Sequence, residues 1–142
     1  MSSKLREIKE KKREEFQDLR FGMFVHFGLY SQGKEHEWHQ NKHKMTHKDY
    51  KAKFLRSFNP DPEGVEQWVK VAKSMGAKYI VLTSKHHDGF CLWDTKVKHA
   101  VDPSYHIRST EFWKQNKTGI VELLFEAGKK HDMRIGLYYS TI

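Results

Sequence analysis

The sequence predicts an α/β protein in which three strands pair in parallel, and two features carry that expectation. Segments of helical and extended periodicity alternate along the chain, so that helical connections separate successive strands. Strands joined in this way pair in parallel through right-handed crossovers. The central run Ala77-Lys-Tyr-Ile-Val-Leu-Thr-Ser84 is nearly continuously apolar at its core, as in a sheet covered on both faces. At 142 residues the chain suits a single domain.

The elements follow in order. Residues 3–18 interleave Lys, Arg, Glu and Asp at helical spacing, which predicts a solvated helix. This opening stretch has no apolar core of signal-peptide type. The longest uncharged runs, such as Phe21 to Gly33, fall short of the roughly 18 residues a membrane span needs. The expectation is no membrane partner and, by default, a cytoplasmic location. Phe21-Gly-Met-Phe-Val-His-Phe-Gly28 reads as a buried strand. After a polar, histidine-rich stretch, Thr46 with Asp49 three residues on opens a short helix to about Leu55.

Asp61-Pro62 is a stronger helix start, since Asp caps and Pro suits the first helical position. Val65, Trp68, Val69 and Ala72 then share one buried face, and Gly76 is placed to end the helix in the left-handed conformation. The second strand spans 77–84. Asn116 or Thr118 caps a third helix, to about residue 131, whose inner face carries Ile120, Leu123, Leu124 and Ala127. Arg134-Ile-Gly-Leu-Tyr-Tyr-Ser140 closes the set as a third strand. The connection from Lys85 to Lys117 is far longer than an ordinary strand-to-helix loop, which marks it as functional or disordered.

Composition narrows the function classes. The 26 basic and 18 acidic residues give a net charge of +8, but the basic residues are dispersed and no nucleic-acid motif accompanies them, so no nucleic-acid partner is expected. A single cysteine, Cys91, excludes an internal disulfide and a cysteine-based zinc cluster. His36, His39, His43 and His47 fall three, four and four apart, and His43/His47 has a zinc-like spacing. The stretch lacks the apolar face of a stable helix, so it reads as a solvated loop without metal.

In parallel α/β sheets ligands bind at the C-terminal ends of the strands. His26, the Glu37-Trp38 pair, His86-His87-Asp88 and Tyr138-Tyr139 all fall there. A carboxylate, neutral imidazoles that both donate and accept, and a flat indole are what a pyranose ring needs for its hydroxyls and its apolar face. Strand alternation puts Phe24 and His26 on one face. It turns Tyr138 toward the pocket and Tyr139 toward the helix layer.

Four segments make a specific resemblance: Arg20-Phe-Gly-Met-Phe-Val-His-Phe-Gly-Leu-Tyr-Ser31, Glu37-Trp38, the run from Gly76 through Lys85-His-His-Asp-Gly-Phe-Cys-Leu-Trp93, and Gly136-Leu-Tyr-Tyr-Ser140. In order and approximate spacing they resemble the α-L-fucosidases of glycoside hydrolase family 29. The resemblance implies that residues 1–142 are the first part of a (β/α)8 barrel: an N-terminal charged helix over 1–19, then three strand units over 20–142. A complete barrel needs roughly 200–250 residues. It further implies a retaining mechanism on terminal α-L-fucose of a glycan or small fucoside, with no cofactor and no metal. His26, Glu37, Trp38, His86, His87 and Tyr138 become the fucose-binding residues. The nucleophile and the acid/base are expected beyond Ile142, and Glu37, Asp88 and Asp94 are assigned neither role. The alternative is a non-catalytic sugar-binding module of the same family. Two departures stand out: Phe27 occupies a position where the family usually has Trp, and Lys117-Thr-Gly119, preceded by additional residues 105–116, replaces a Lys/Arg-Asp pair. Open barrel edges are expected to favour self-association.

Overall fold

The computed structural model describes residues 3–99 and 102–141; the remaining positions of the predicted span 1–142 lie outside the described residues. Three strands, β1 (Gly22–Val25), β2 (Tyr79–Lys85) and β3 (Arg134–Tyr139), form one sheet in the order β1-β2-β3. Both pairings are parallel, and Phe24, Val81 and Gly136 lie abreast. Helix α1 (Ser3–Asp18) precedes the sheet. Helices α2 (His39–Lys42), α3 (His47–Phe54) and α4 (Pro62–Ser74) connect β1 to β2, and α5 (Glu111–Asn116) and α6 (Ile120–Lys130) connect β2 to β3.

Local chemistry sets the boundaries. Asp61 accepts the Glu63 N–H at 2.9 Å to start α4, with Pro62 first in the helix. Gly76 ends it at φ 83°, and the Ala77 N–H reaches back to the Ala72 carbonyl at 3.0 Å. That bond spends Ala77 on the helix terminus, so β2 begins at Tyr79 rather than at 77. β1 is four residues long, not the expected 21–28, because the Phe27 N–H turns to the Thr83 hydroxyl at 3.1 Å and leaves the ladder. Neither Asn116 nor Thr118 caps α6. Its first N–H groups, on Ile120 and Val121, are taken by the Leu92 carbonyl at 2.9 and 3.2 Å. A side chain at Gly119 would put its Cβ 2.8 Å from that same oxygen.

The long connection from Lys85 to Lys117 is not structureless. It contains a 3₁₀ turn over Ile107–Ser109 and α5, whose Thr110 cap accepts the Trp113 N–H at 3.2 Å. Tyr105, Ile107 and Phe112 from this segment are buried in the same apolar cluster as Phe58 and Phe90. The Phe112 N–H donates to the Phe58 carbonyl at 2.9 Å.

The expectation that β2 is covered on both faces needs correcting. Ile80 and Leu82 are fully buried in a cluster with Val65 and Val69 of α4 and Ile120 and Leu124 of α6. On the opposite face Tyr79 and Val81 are half-buried and Phe24 is 51% exposed. At the N-terminal end of β2, α1 approaches that face, with Phe16 against the Tyr79 ring at 5.1 Å, and α1 buries no residue of its own. The edge strand β3 is open as well: Leu137 and Tyr139 stand 44% and 56% exposed. Tyr139 lies on the outer side as strand parity requires, but without a helix over it.

Because Phe112 is fully buried, Phe112→Ala is expected to cost about 3–5 kcal/mol in urea denaturation. Thr110→Ala, which removes one cap, should cost about 1 kcal/mol. Equal effects from the two substitutions would show that the 105–116 segment does not belong to the core.

Candidate functional site

A break in strand register sets the site. β2 and β3 pair regularly up to Thr83–Tyr138, after which Lys85, not Ser84, faces Tyr139. Ser84 is thus an extra residue. Its hydroxyl donates to the Tyr138 carbonyl at 2.8 Å, and its own carbonyl accepts the Leu92 N–H at 2.9 Å. Such a bulge reverses the side-chain alternation beyond it. Without it Lys85 would follow Val81 and Thr83 onto the open face, and His86 would follow Ile80 and Leu82 into the helix layer. With it, Lys85 turns outward over the Tyr139 ring at 5.0 Å and His86 swings to the open face.

His86 is then the centre of a ring cluster at the C-terminal edge of the sheet. Its imidazole lies 5.8 Å from His26, 5.8 Å from Tyr138, 4.4 Å from His87 and 6.3 Å from Trp38 between ring centroids. Trp38 packs on His87 at 4.9 Å. One ligating atom each from His26, Glu37 and His86 lie within 4.8 Å of one another, close enough to converge on one hydroxyl or one cation. All six residues singled out in the sequence therefore meet in one place. Tyr139, on the other side of β3, does not join them.

The electrostatics suit neutral hydrogen bonding. His86 is 5% exposed, and burial, followed by the neighbouring His87, pulls its pKa below the ordinary value. Its Nδ1 is buried without a hydrogen-bond partner among the described residues. His87 Nδ1 lies 2.7 Å from the Ser140 hydroxyl. Asp88 accepts the Tyr50 hydroxyl at 3.0 Å and the Phe90 N–H at 3.2 Å, so both of its oxygens are engaged. Burial nevertheless pushes its pKa up to about 6, with the two hydrogen bonds opposing the rise. A cavity of about 610 Å³ opens beside the cluster, lined by Glu37, Trp38, His87 and Asp88 together with Lys44 and Met45.

Sequence reasoning missed two contributors, Tyr30 and Tyr50. Tyr30 sits 5.9 Å from His86 and shares a hydrogen bond with Thr83 at 3.0 Å. Phe24 stacks on His26 at 4.9 Å, and Tyr50 holds Asp88 from α3. Strand alternation already puts Phe24 on the face of His26; Tyr30 and Tyr50 depend on tertiary contacts. The expectation of a solvated loop over the histidine-rich stretch is also corrected: His39 lies on α2 only 5% exposed, and His47 opens α3. His47 stacks on His99 at 5.4 Å, away from His43, while His39 and His43 come together on Glu35. Phe27 packs against Trp68 at 4.9 Å and Phe58 at 5.8 Å, so this departure lies in the helix layer rather than the site.

The family profile described as Alpha-L-fucosidase matches residues 2–142. Alpha-L-fucosidase 1 of Arabidopsis thaliana is 33% identical over 118 residues, covering 83% of this chain and 20% of its own. Among solved structures, alpha-L-fucosidase isoenzyme 1 from Paenibacillus thiaminolyticus superposes with a TM-score of 0.79 at 35% identity, covering 94% of this chain and 29% of its own. Alpha-L-fucosidase AlfC from Lactobacillus casei, solved in complex with alpha-L-fucose product, gives 0.70 at 34% identity over 88% of this chain and 39% of its own. The chain spans between 20% and 30% of the length of the curated relatives it matches.

The raised pKa of Asp88 has a definite sign in stability. The folded chain holds this proton more tightly than the unfolded one, so Asp88 favours folding at low pH and loses that contribution as pH rises from about 3.8 to about 6. Asp88→Asn should therefore gain stability relative to the parent as pH rises through that window, measured by urea denaturation at each pH. A constant difference between the two would show that Asp88 titrates as an ordinary carboxylate.

Proposed function

The chain belongs to the alpha-L-fucosidase family, and from that premise we propose that it forms the terminal-fucose-binding part of a retaining α-L-fucosidase. The observation that carries this reading is the convergence of His26, Glu37 and His86 within 4.8 Å at the C-terminal sheet edge, with the Trp38 indole beside them. Two imidazoles and a carboxylate supply donors and acceptors for adjacent sugar hydroxyls, and the indole packs on the apolar face of the ring. His87 and Tyr138 complete the wall. The relative solved with alpha-L-fucose product supports this choice of sugar.

On the same reading residues 1–142 are the first part of a (β/α)8 barrel, an N-terminal segment 1–19 that contains helix Ser3–Asp18 and three strand units over 20–142. The half-buried face around Phe24 and Val81, and the open edge at β3, are where further barrel strands pack. Left uncovered, these surfaces favour self-association. Retaining hydrolysis uses two carboxyl groups roughly 5 Å apart across the scissile bond. Glu37 is directed at two imidazoles and Asp88 is committed to Tyr50 and Phe90. The family resemblance assigns the nucleophile and acid/base to residues beyond Ile142. No cofactor enters this mechanism.

Two outcomes are expected. In titrations followed by ¹⁵N/¹H NMR, L-fucose should perturb the Trp38 indole and the His86 amide of the 142-residue chain, D-glucose should not, and His86→Ala or Glu37→Gln should abolish the response. The chain should not hydrolyse an aryl α-L-fucoside above buffer. Turnover that vanishes on changing Glu37 or Asp88 would overturn the role assignment, and indifference to fucose would overturn the site. Tyr138→Phe, which deletes one hydroxyl, should weaken fucose binding by about 1 kcal/mol while leaving the melting temperature little changed. A large drop in melting temperature would mark Tyr138 as core instead.

A further inference from the structure

Glu35, His39 and His43 form a second convergent set that takes no part in the ring cluster. Spaced four apart along the turn that enters α2, they present their side chains on one side. Glu35 Oε2 lies 3.1 Å from His39 Nδ1 and 2.8 Å from His43 Nε2, and the two rings are 4.4 Å apart. His39 is held in place. It is 5% exposed, meets the Phe54 ring at 5.3 Å, and packs so closely on Gly33 that a Cβ there would sit 2.7 Å from its ring. The other two reach solvent, with side chains 29% exposed at Glu35 and 44% at His43. A ligand thus meets one fixed imidazole and two accessible partners.

We propose that Glu35, His39 and His43 bind one divalent cation of the zinc class, through His39 Nδ1, His43 Nε2 and a Glu35 oxygen. Two borderline nitrogen donors and one carboxylate suit zinc or cobalt rather than magnesium or calcium, which prefer all-oxygen sets. Three protein ligands leave the fourth tetrahedral position to water. The cation takes the place of the two His–Glu hydrogen bonds, and the ring proton of His39 resides on Nε2. Glu37 and Trp38 lie between Glu35 and His39 in the chain, so the bound cation fastens the segment that carries them. That consequence rests on the fucose-site reading; the binding itself does not.

The test is calorimetric titration of the 142-residue chain with zinc chloride near neutral pH, without sugar, with far-UV circular dichroism confirming that each variant is folded. One zinc per chain is expected. His43→Ala and Glu35→Gln, both at solvent-accessible positions, should each weaken it by about tenfold or more, at least the loss seen on removing an outer-sphere partner. Cobalt in place of zinc should give the visible d–d bands of a tetrahedral nitrogen–oxygen site, lost in the same two variants. His47→Ala should bind as the parent does. Absence of binding, affinity unchanged in both variants, or loss on His26→Ala with His43→Ala unaffected would overturn the proposal, the last by placing the ion in the other cluster.

Discussion

One extra residue in the central strand decides what this sheet can do. Parallel pairing on both sides of β2 fixes the height of its neighbours, which brings the end of β1, the end of β2 and Tyr138 to one edge. Height alone would not aim His86. In uninterrupted alternation His86 shares a face with Ile80 and Leu82, the residues buried deepest under α4 and α6. The bulge at Ser84 reverses that alternation, and it is held from two sides, by the Tyr138 carbonyl and by the Leu92 N–H. Leu92 has a second task, since its own carbonyl receives the first N–H groups of α6. The turn that aims His86 and the start of the helix behind it are therefore one hydrogen-bonded unit.

The two faces of the sheet divide the work. The helix face carries the apolar cluster from Leu29 to Met133 and supplies the burial that stabilises the fold. The other face carries Phe24, His26 and Tyr138, which reach solvent, and Thr83, which is buried beneath Phe27 and Tyr30. Polar clusters of this kind weaken a fold locally. His86 buries an unpartnered nitrogen, and Asp88 holds its carboxyl where burial resists ionisation. Such local costs persist where the surroundings dictate the geometry, which is characteristic of binding sites.

Much of the scaffold was legible because its signals are local. Asp61-Pro62 and Gly76 mark α4 through hydrogen bonds made within a few residues, and the parallel order follows from helices lying between strands. The failures share a cause. The cap of α6 comes from Leu92, remote in sequence, and β1 ends because of a hydroxyl on β2. Helix α5 did carry a readable signal, the Thr110 cap, but it sat inside a stretch too long and too mixed to suggest a helix. The residues of the candidate site were visible by type and by position at strand ends. Their convergence rests on the bulge, and nothing in the alternation of residues 77–84 announces it.

The histidine-rich stretch shows the same limit from the other direction. By spacing alone His39/His43 and His43/His47 are equivalent pairs. They diverge because α2 is a single turn: it keeps His39 and His43 together, and the chain then resets at Thr46 to begin α3. His47, first in the new helix, faces His99 and Tyr105 from the long connection. Glu35, which no histidine spacing would single out, becomes the common partner of the first pair because the non-helical turn from 35 to 38 folds it back onto His39 and His43. Trp38 stands at the N-cap of α2, its carbonyl accepting the Lys42 N–H at 2.8 Å, and the Glu35–His39 contact bridges the turn before it, so the dipeptide beside His86 and His87 is tied from both sides.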